Sequence, residues 1–162
     1  MTRPANIRRL FLFPKPSYPL PEAAKLLGMK VSELREWVAA GEIEADNVEG
    51  KETIAWAEVV SFAIDLWSQE EIEAALGTKV AEAIPELLRL TELEVRIPRL
   101  EVLALEKVAM RDGRSIDAVL ARELLDFVSA EAEWLDREVP GFLEALAWPE
   151  HGGGDQRNHR GI

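Results

Sequence analysis

Residues 92–128 read ELEVRIPRLEVLALEKVAMRDGRSIDAVLARELLDFV. The first six alternate polar and apolar, the period-two signature of a half-buried strand. Leu93, Val95 and Ile97 fall on one face, and Glu92, Glu94 and Arg96 on the other. Pro98 ends the strand and suits the first turn of a following helix. That helix is predicted over Leu100 to Arg111, with Asp112-Gly113 as its stop. Ser115 then caps a second helix running from Ile116 to about Ala132. On it, Ile116, Val119, Leu120, Leu124, Phe127 and Val128 make one apolar stripe. A lone strand leaves its own N–H and C=O groups unpaired. No second strand of matching pattern lies nearby, so the natural partner is the same strand of another copy, in a two-fold antiparallel ribbon. The alternative is pairing within one chain with the N-terminal RRLFLF segment.

In order and spacing this stretch resembles a ribbon-helix-helix domain of the Arc and CopG type. The resemblance implies a homodimer held by Leu93, Val95 and Ile97. It also implies that outward strand residues read bases while the start of the second helix grips phosphate. The matching positions are Glu92, Glu94 and Arg96 on the strand and Arg114 and Ser115 at the turn, and a helix N-terminus suits phosphate on dipole grounds. Two of the three strand positions depart from that role, because a carboxylate must approach a polyanion to accept from cytosine. Four glutamates and two arginines give such a ribbon an outward charge of −2. It is a better dimeriser than a DNA reader.

Upstream, Pro21 opens a helix through EAAKLL that Gly28 stops. Val31 to Ala40 forms the next, with Val31, Leu34, Trp37 and Val38 on one face and Gly41 behind it. IEADNV, the turn Glu49-Gly50-Lys51 and ETIAW read as a small hairpin. Trp56, Val59, Val60, Ala63, Ile64 and Trp67 then follow the spacing of a buried helix face. From Tyr18 to Trp67 the pattern resembles the winged helix-turn-helix of the MerR and excisionase-like families. That resemblance implies a reading helix over Val31 to Ala40, with Lys30, Ser32 and Arg35 as DNA contacts and Lys51 at the wing tip. Glu33 and Glu36 share the outer face of that helix, and a three-helix unit used only for packing is the other reading.

Ser68 and Glu71 form a capping box for a short helix ending at Gly77, and Thr78 to Leu90 reads as a connector interrupted by Pro85. The expected organisation is therefore a basic arm (1–17), a winged helix-turn-helix (18–67), a helical connector (68–91) and a ribbon-helix-helix (92–128). An acidic segment (129–150) and a flexible Gly-rich tail (151–162) complete it. The fold class is mainly α.

Composition limits the function. The chain has 162 residues, 48% hydrophobic and 30% charged, enough to build a core. Nineteen Lys and Arg face thirty Asp and Glu, a net −11 that excludes a uniformly basic nucleic-acid coat but allows a local patch. Without Cys there is no disulfide scaffold, thiolate metal site or cysteine nucleophile. The sequence GGG at 152–154 lacks the strand and helix of a phosphate loop. His151 and His159 lack the further ligands a metal requires. Carboxylate pairs such as Glu70 and Glu71 are better explained by a solvated helix. No enzyme, cofactor or metal is expected. No apolar run approaches the roughly 18 residues of a membrane span, the start does not read as a secretory signal, and a cytoplasmic location is expected.

Charge is unevenly spread. Residues 1–15 carry Arg3, Arg8, Arg9 and Lys15 and no acid, whereas residues 126–150 carry seven acids against Arg137. The first reads as an arm that either lies along phosphates or is simply solvated. The second holds Trp134, Leu135, Phe142, Leu146 and Trp148, which either anchor in a protein partner or fold back over the dimer's own core at Pro140-Gly141. In ribbon-helix-helix antitoxins the corresponding segment wraps a toxin. The joint resemblance implies a dimeric DNA-binding transcriptional regulator, of antitoxin type if that segment is a binding arm. The rival is an adaptor that keeps both folds without DNA binding.

Overall fold

Leu90 and Ala147 are the two points at which the chain crosses between its units: Thr91–Leu146 forms one and the remainder the other. The computed structural model describes residues 2–149. The architecture is mainly helical, with one small antiparallel sheet.

The first unit contains α1 (Arg3–Leu12), β1 (Ser17–Pro19), α2 (Leu20–Leu27) and α3 (Val31–Ala39). It continues with β2 (Asp46–Val48), β3 (Lys51–Ala55), α4 (Trp56–Leu66), α5 (Gln69–Leu76) and α6 (Val80–Ala83). The sheet order is β1-β3-β2, with Tyr18 opposite Ile54 and Asn47 opposite Glu52. Glu49 and Gly50 both take positive φ, 52° and 77°, as a two-residue hairpin turn between right-twisted strands demands. Gly28 ends α2 in the left-handed conformation and turns the chain into α3. The capping box is present: Ser68 Oγ accepts from Glu71 N–H and a Glu71 carboxylate oxygen accepts from Ser68 N–H, each at 3.2 Å.

The core of this unit overturns two expected boundaries. The basic arm is a helix: Ile7, Leu10 and Phe11 of α1, spaced i, i+3, i+4, are buried with Tyr18, Leu26, Leu34, Ile54 and Val60. The arginines interleaved among them hide that periodicity. The connector is likewise part of the unit, since Ile72, Ala75, Leu76 and Ile84 join the same core. Trp37, expected on a core face, is 42% exposed and lies edge-on to Phe62 at 5.5 Å. The short α3 buries only Leu34. Ile64 is exposed as well. Tyr18 is fully buried; its hydroxyl accepts from Lys15 N–H at 3.0 Å, and desolvation raises the phenol pKa above its ordinary value.

The second unit comprises α7 (Arg99–Asp112), α8 (Ile116–Ala130), α9 (Ala132–Glu138) and α10 (Phe142–Leu146). Gly113 ends α7 with φ 62°, and Ser115 Oγ caps α8 by accepting from Ala118 N–H at 3.1 Å. Residues 91–98 join no sheet among the described residues, and all are exposed. Pairing with RRLFLF inside one chain is ruled out, because residues 8–12 belong to α1. The unit has almost no core: Ala109, Val119, Ala132 and Ala145 are its only buried apolar side chains. Leu93 is 80% exposed, Leu100 79% and Phe127 62%, with Met110, Leu124 and Leu125 also open. The expected tail, 151–162, and Glu150 lie outside the described residues.

Candidate nucleic-acid interface

Helix α3 presents Ser32 and Arg35 outward, with Lys30 exposed at its N-terminal cap. Lys51 is exposed where the hairpin enters β3. Arg35 Nε lies 3.8 Å from Glu52 Oε2, which brings the exposed face of α3 against the β2–β3 hairpin. Four of the seven expected DNA contacts are thereby grouped on one unit. The same surface is acidic. Between residues 30 and 52 the cations Lys30, Arg35 and Lys51 stand among seven acids, Glu33, Glu36, Glu42, Glu44, Asp46, Glu49 and Glu52, a net −4. All ten are exposed. The Arg35–Glu52 pair itself adds little stability, since exposed ion pairs are screened by water and salt. It does direct the guanidinium to a carboxylate of its own chain.

The cations expected to form an arm are all engaged inside the first unit. Arg3 bonds Glu71 at 2.8 Å, and Arg9 and Lys15 converge on Glu22 at 2.8 and 2.7 Å. Arg8 donates to the Ala75 carbonyl at 2.6 Å. These contacts fasten α1 to α2 and α5. The Arg3 guanidinium, followed by the Ser68 N–H, holds the Glu71 carboxyl below the ordinary carboxylate range.

In the second unit Arg114 and Ser115 adjoin at the α7–α8 turn, where Arg114 N–H donates to the Ala109 carbonyl at 3.0 Å. The Ser115 hydroxyl serves as the helix cap described above. Arg96 lies in the unpaired 91–98 segment with Leu93, Val95 and Ile97. Beside the turn, Asp112 is flanked by Arg111 at 2.7 Å and Arg122 at 3.8 Å. The Arg111 hydrogen bond is the main reason its carboxyl sits below the usual range.

The residues expected to bind a protein partner divide between the units. Trp134 is exposed, and Leu135, Phe142 and Leu146 are half-buried. Asp136 Oδ1 accepts from Leu143 N–H at 2.9 Å across the Pro140-Gly141 bend, closing α9 onto α10. Trp148 does not belong with them: it packs in the first unit, beside Phe11 and Trp56. An acidic sequence context concealed that placement. Sequence reasoning also missed Glu52 as the partner of Arg35, and the exposed Leu100, Leu103 and Met110. Their signal was an excess of apolar residues over what two short helices can bury.

Among the described residues no group of three or more His, Asp or Glu is placed to hold a metal ion, and no helix is long and apolar enough to cross a membrane. No family model, curated protein or solved structure matches the chain.

Proposed function

We propose that the chain is a homodimeric DNA-binding regulator. In this reading residues 92–97 of two copies pair as an antiparallel ribbon, α7 and α8 pack across it, and each copy contributes one winged helix-turn-helix to a two-fold site. The observation that carries the reading is the second unit's missing core. A fold that buries four apolar residues, three of them alanine, cannot offset the conformational entropy of 56 residues (91–146). Another copy supplies strand partners for Leu93, Val95 and Ile97 and a cover for α7 and α8. The DNA half of the reading is supported by the Gly28 turn, the outward face of α3 and the adjacent wing. Lys30, Ser32, Arg35 and Lys51 are the contacts there, with Arg96, Arg114 and Ser115 at the ribbon and turn. An antitoxin-type role, with the α9–α10 segment meeting a protein partner such as a toxin, is an extension of the same reading.

The experiment is a mobility shift of purified protein on genomic fragments, its own upstream region included, across a salt series. Binding through phosphates falls steeply as salt rises. A second reading, a dimeric protein-interaction adaptor without DNA binding, is favoured by one specific observation: seven carboxylates outnumber three cations on the α3 and wing surface. A protein that dimerises but shifts no fragment at low salt is that adaptor.

A further inference from the structure

Helices α3 and α4 meet through an aromatic pair whose outer side stays open. Trp37 lies edge-on to Phe62 with 5.5 Å between ring centroids, a favourable geometry that orients both rings. Trp37 is 42% exposed and Phe62 half-buried. Leu66, four positions after Phe62 and so on the same flank of α4, is 47% exposed. Carboxylates border this apolar strip. Glu33 stands one turn before Trp37, and Glu58 and Asp65 stand one turn to either side of Phe62. Glu33 and Asp65 are exposed; Glu58 is half-buried, and its Oε2 accepts from Glu44 N–H at 3.2 Å. None of the three forms an ion pair among the described residues. Helix α4 carries no cation. The one cation within α3, Arg35, is turned to Glu52, and Lys30 stands at the N-cap, two turns from Trp37.

We propose that the strip of Trp37, Phe62 and Leu66 is a docking surface for a cationic amphipathic helix of a partner protein. The apolar face of that helix covers the strip, and its lysines or arginines meet Glu33, Glu58 and Asp65. Aromatic anchors at the centre of a charged rim are where binding energy concentrates. An indole already held against Phe62 has little side-chain freedom left to lose on binding. An apolar face laid along the seam of two helices is the helix-in-groove mode of recognition. The sign of the rim selects the partner, since unpaired carboxylates attract a basic segment and repel an acidic one. They repel phosphate for the same reason. Trp37 and Arg35 are two positions apart and leave α3 on nearly opposite sides, so the strip is distinct from the flank where Arg35 meets the hairpin. The inference needs neither DNA binding nor a dimer and stands apart from the function proposed above.

The test uses the full chain and two fluorescein-labelled helical peptides that share one leucine face. The polar face is lysine in one and glutamate in the other. Binding is read by fluorescence anisotropy across a salt series. The lysine peptide is expected to bind and the glutamate peptide is not. Trp37→Ala is expected to weaken binding about tenfold or more, the loss typical of a central aromatic anchor. Glu33→Gln with Asp65→Asn, both at exposed positions, is expected to weaken it about tenfold and to flatten its salt dependence. Glu82→Gln with Glu86→Gln removes the same charge from exposed positions elsewhere in the unit and is expected to leave affinity within about twofold. The Glu33 and Asp65 variant carries the test should Trp37→Ala fail to fold. Three results would overturn the proposal: a parent that does not bind the lysine peptide, a folded Trp37→Ala with parent affinity, or equal losses in the two double variants. The last marks a general attraction to an acidic chain. A Trp37→Ala protein that loses a dimer formed by the parent would overturn it too, because a second copy then covers the strip.

Discussion

Arg35 and Glu52 face one another across the surface that joins helix α3 to the β2–β3 hairpin, with 3.8 Å between guanidinium and carboxylate. The pair sets the one cation at the centre of α3 against a DNA-facing role. In the proposed regulator, Arg35 would have to exchange that carboxylate for a phosphate to contribute to binding.

Glu52→Gln is therefore expected to tighten DNA binding about two- to fivefold at low salt, the worth of one exposed ion pair. Arg35→Ala is expected to weaken it and to flatten the salt dependence by about one ion in the log–log slope. A salt-titrated mobility shift measures both. Equal affinity in all three proteins would remove Arg35 from the interface.

Helix α1 is a structural member of the first unit, so losses there are losses of folding. Leu10→Ala is expected to cost about 2–5 kcal/mol, the range for a buried leucine. Phe13→Ala, at a side chain 68% exposed, should stay within about 0.5 kcal/mol. Urea denaturation followed by tryptophan fluorescence separates them, Trp67 being buried in this core. Removing residues 2–12 should abolish the transition instead of merely lowering affinity for DNA.

The second unit's stability should depend on protein concentration. A dimer that folds as it associates melts at higher temperature when concentrated, and the first unit, with its own core, does not. Val95→Pro takes one N–H donor out of the proposed ribbon. It is expected to give a monomer by sedimentation equilibrium with the first unit's transition retained. A Val95→Pro protein that sediments as a dimer would place the association elsewhere.

Acid should loosen α1 from α5. The Glu71 carboxyl is depressed by Arg3 and by the Ser68 N–H, so its contribution is present in full above the unfolded value of about 4.3. It is lost as pH falls through the lower folded value. Glu71→Gln, which keeps a side-chain acceptor for the Ser68 cap, is expected to show a shallower loss of stability between neutral and strongly acidic pH. Urea midpoints collected against pH for both proteins give the comparison.

Elements written in local signals were legible in the sequence. The Glu49-Gly50 turn, the Ser68–Glu71 box, the Gly28 and Gly113 stops and the Ser115 cap each depend on residues within a few positions of one another. What escaped depends on distant partners. Strand β1 is three residues long, and its pairing with β3 is what makes it a strand. Trp37 has the spacing of a core residue, but its exposure is set by how little α3 buries. Trp148 reads as an anchor for another protein until Phe11 and Trp56 are placed beside it. At the candidate interface the residue types were legible, whereas the Arg35–Glu52 pairing required the register of the hairpin.

Strand β3 passes into α4 with no residue between them, Ala55 ending one and Trp56 beginning the other. The hairpin is thus the short arm of a lever whose pivot is Trp56, clamped to the carbonyls of Leu10 and Pro16. Hairpin and helix α4 therefore meet at a joint that is itself fixed to α1 and to the loop after it. The chain has five tryptophans, so a variant that keeps Trp56 alone would report on that joint by its fluorescence.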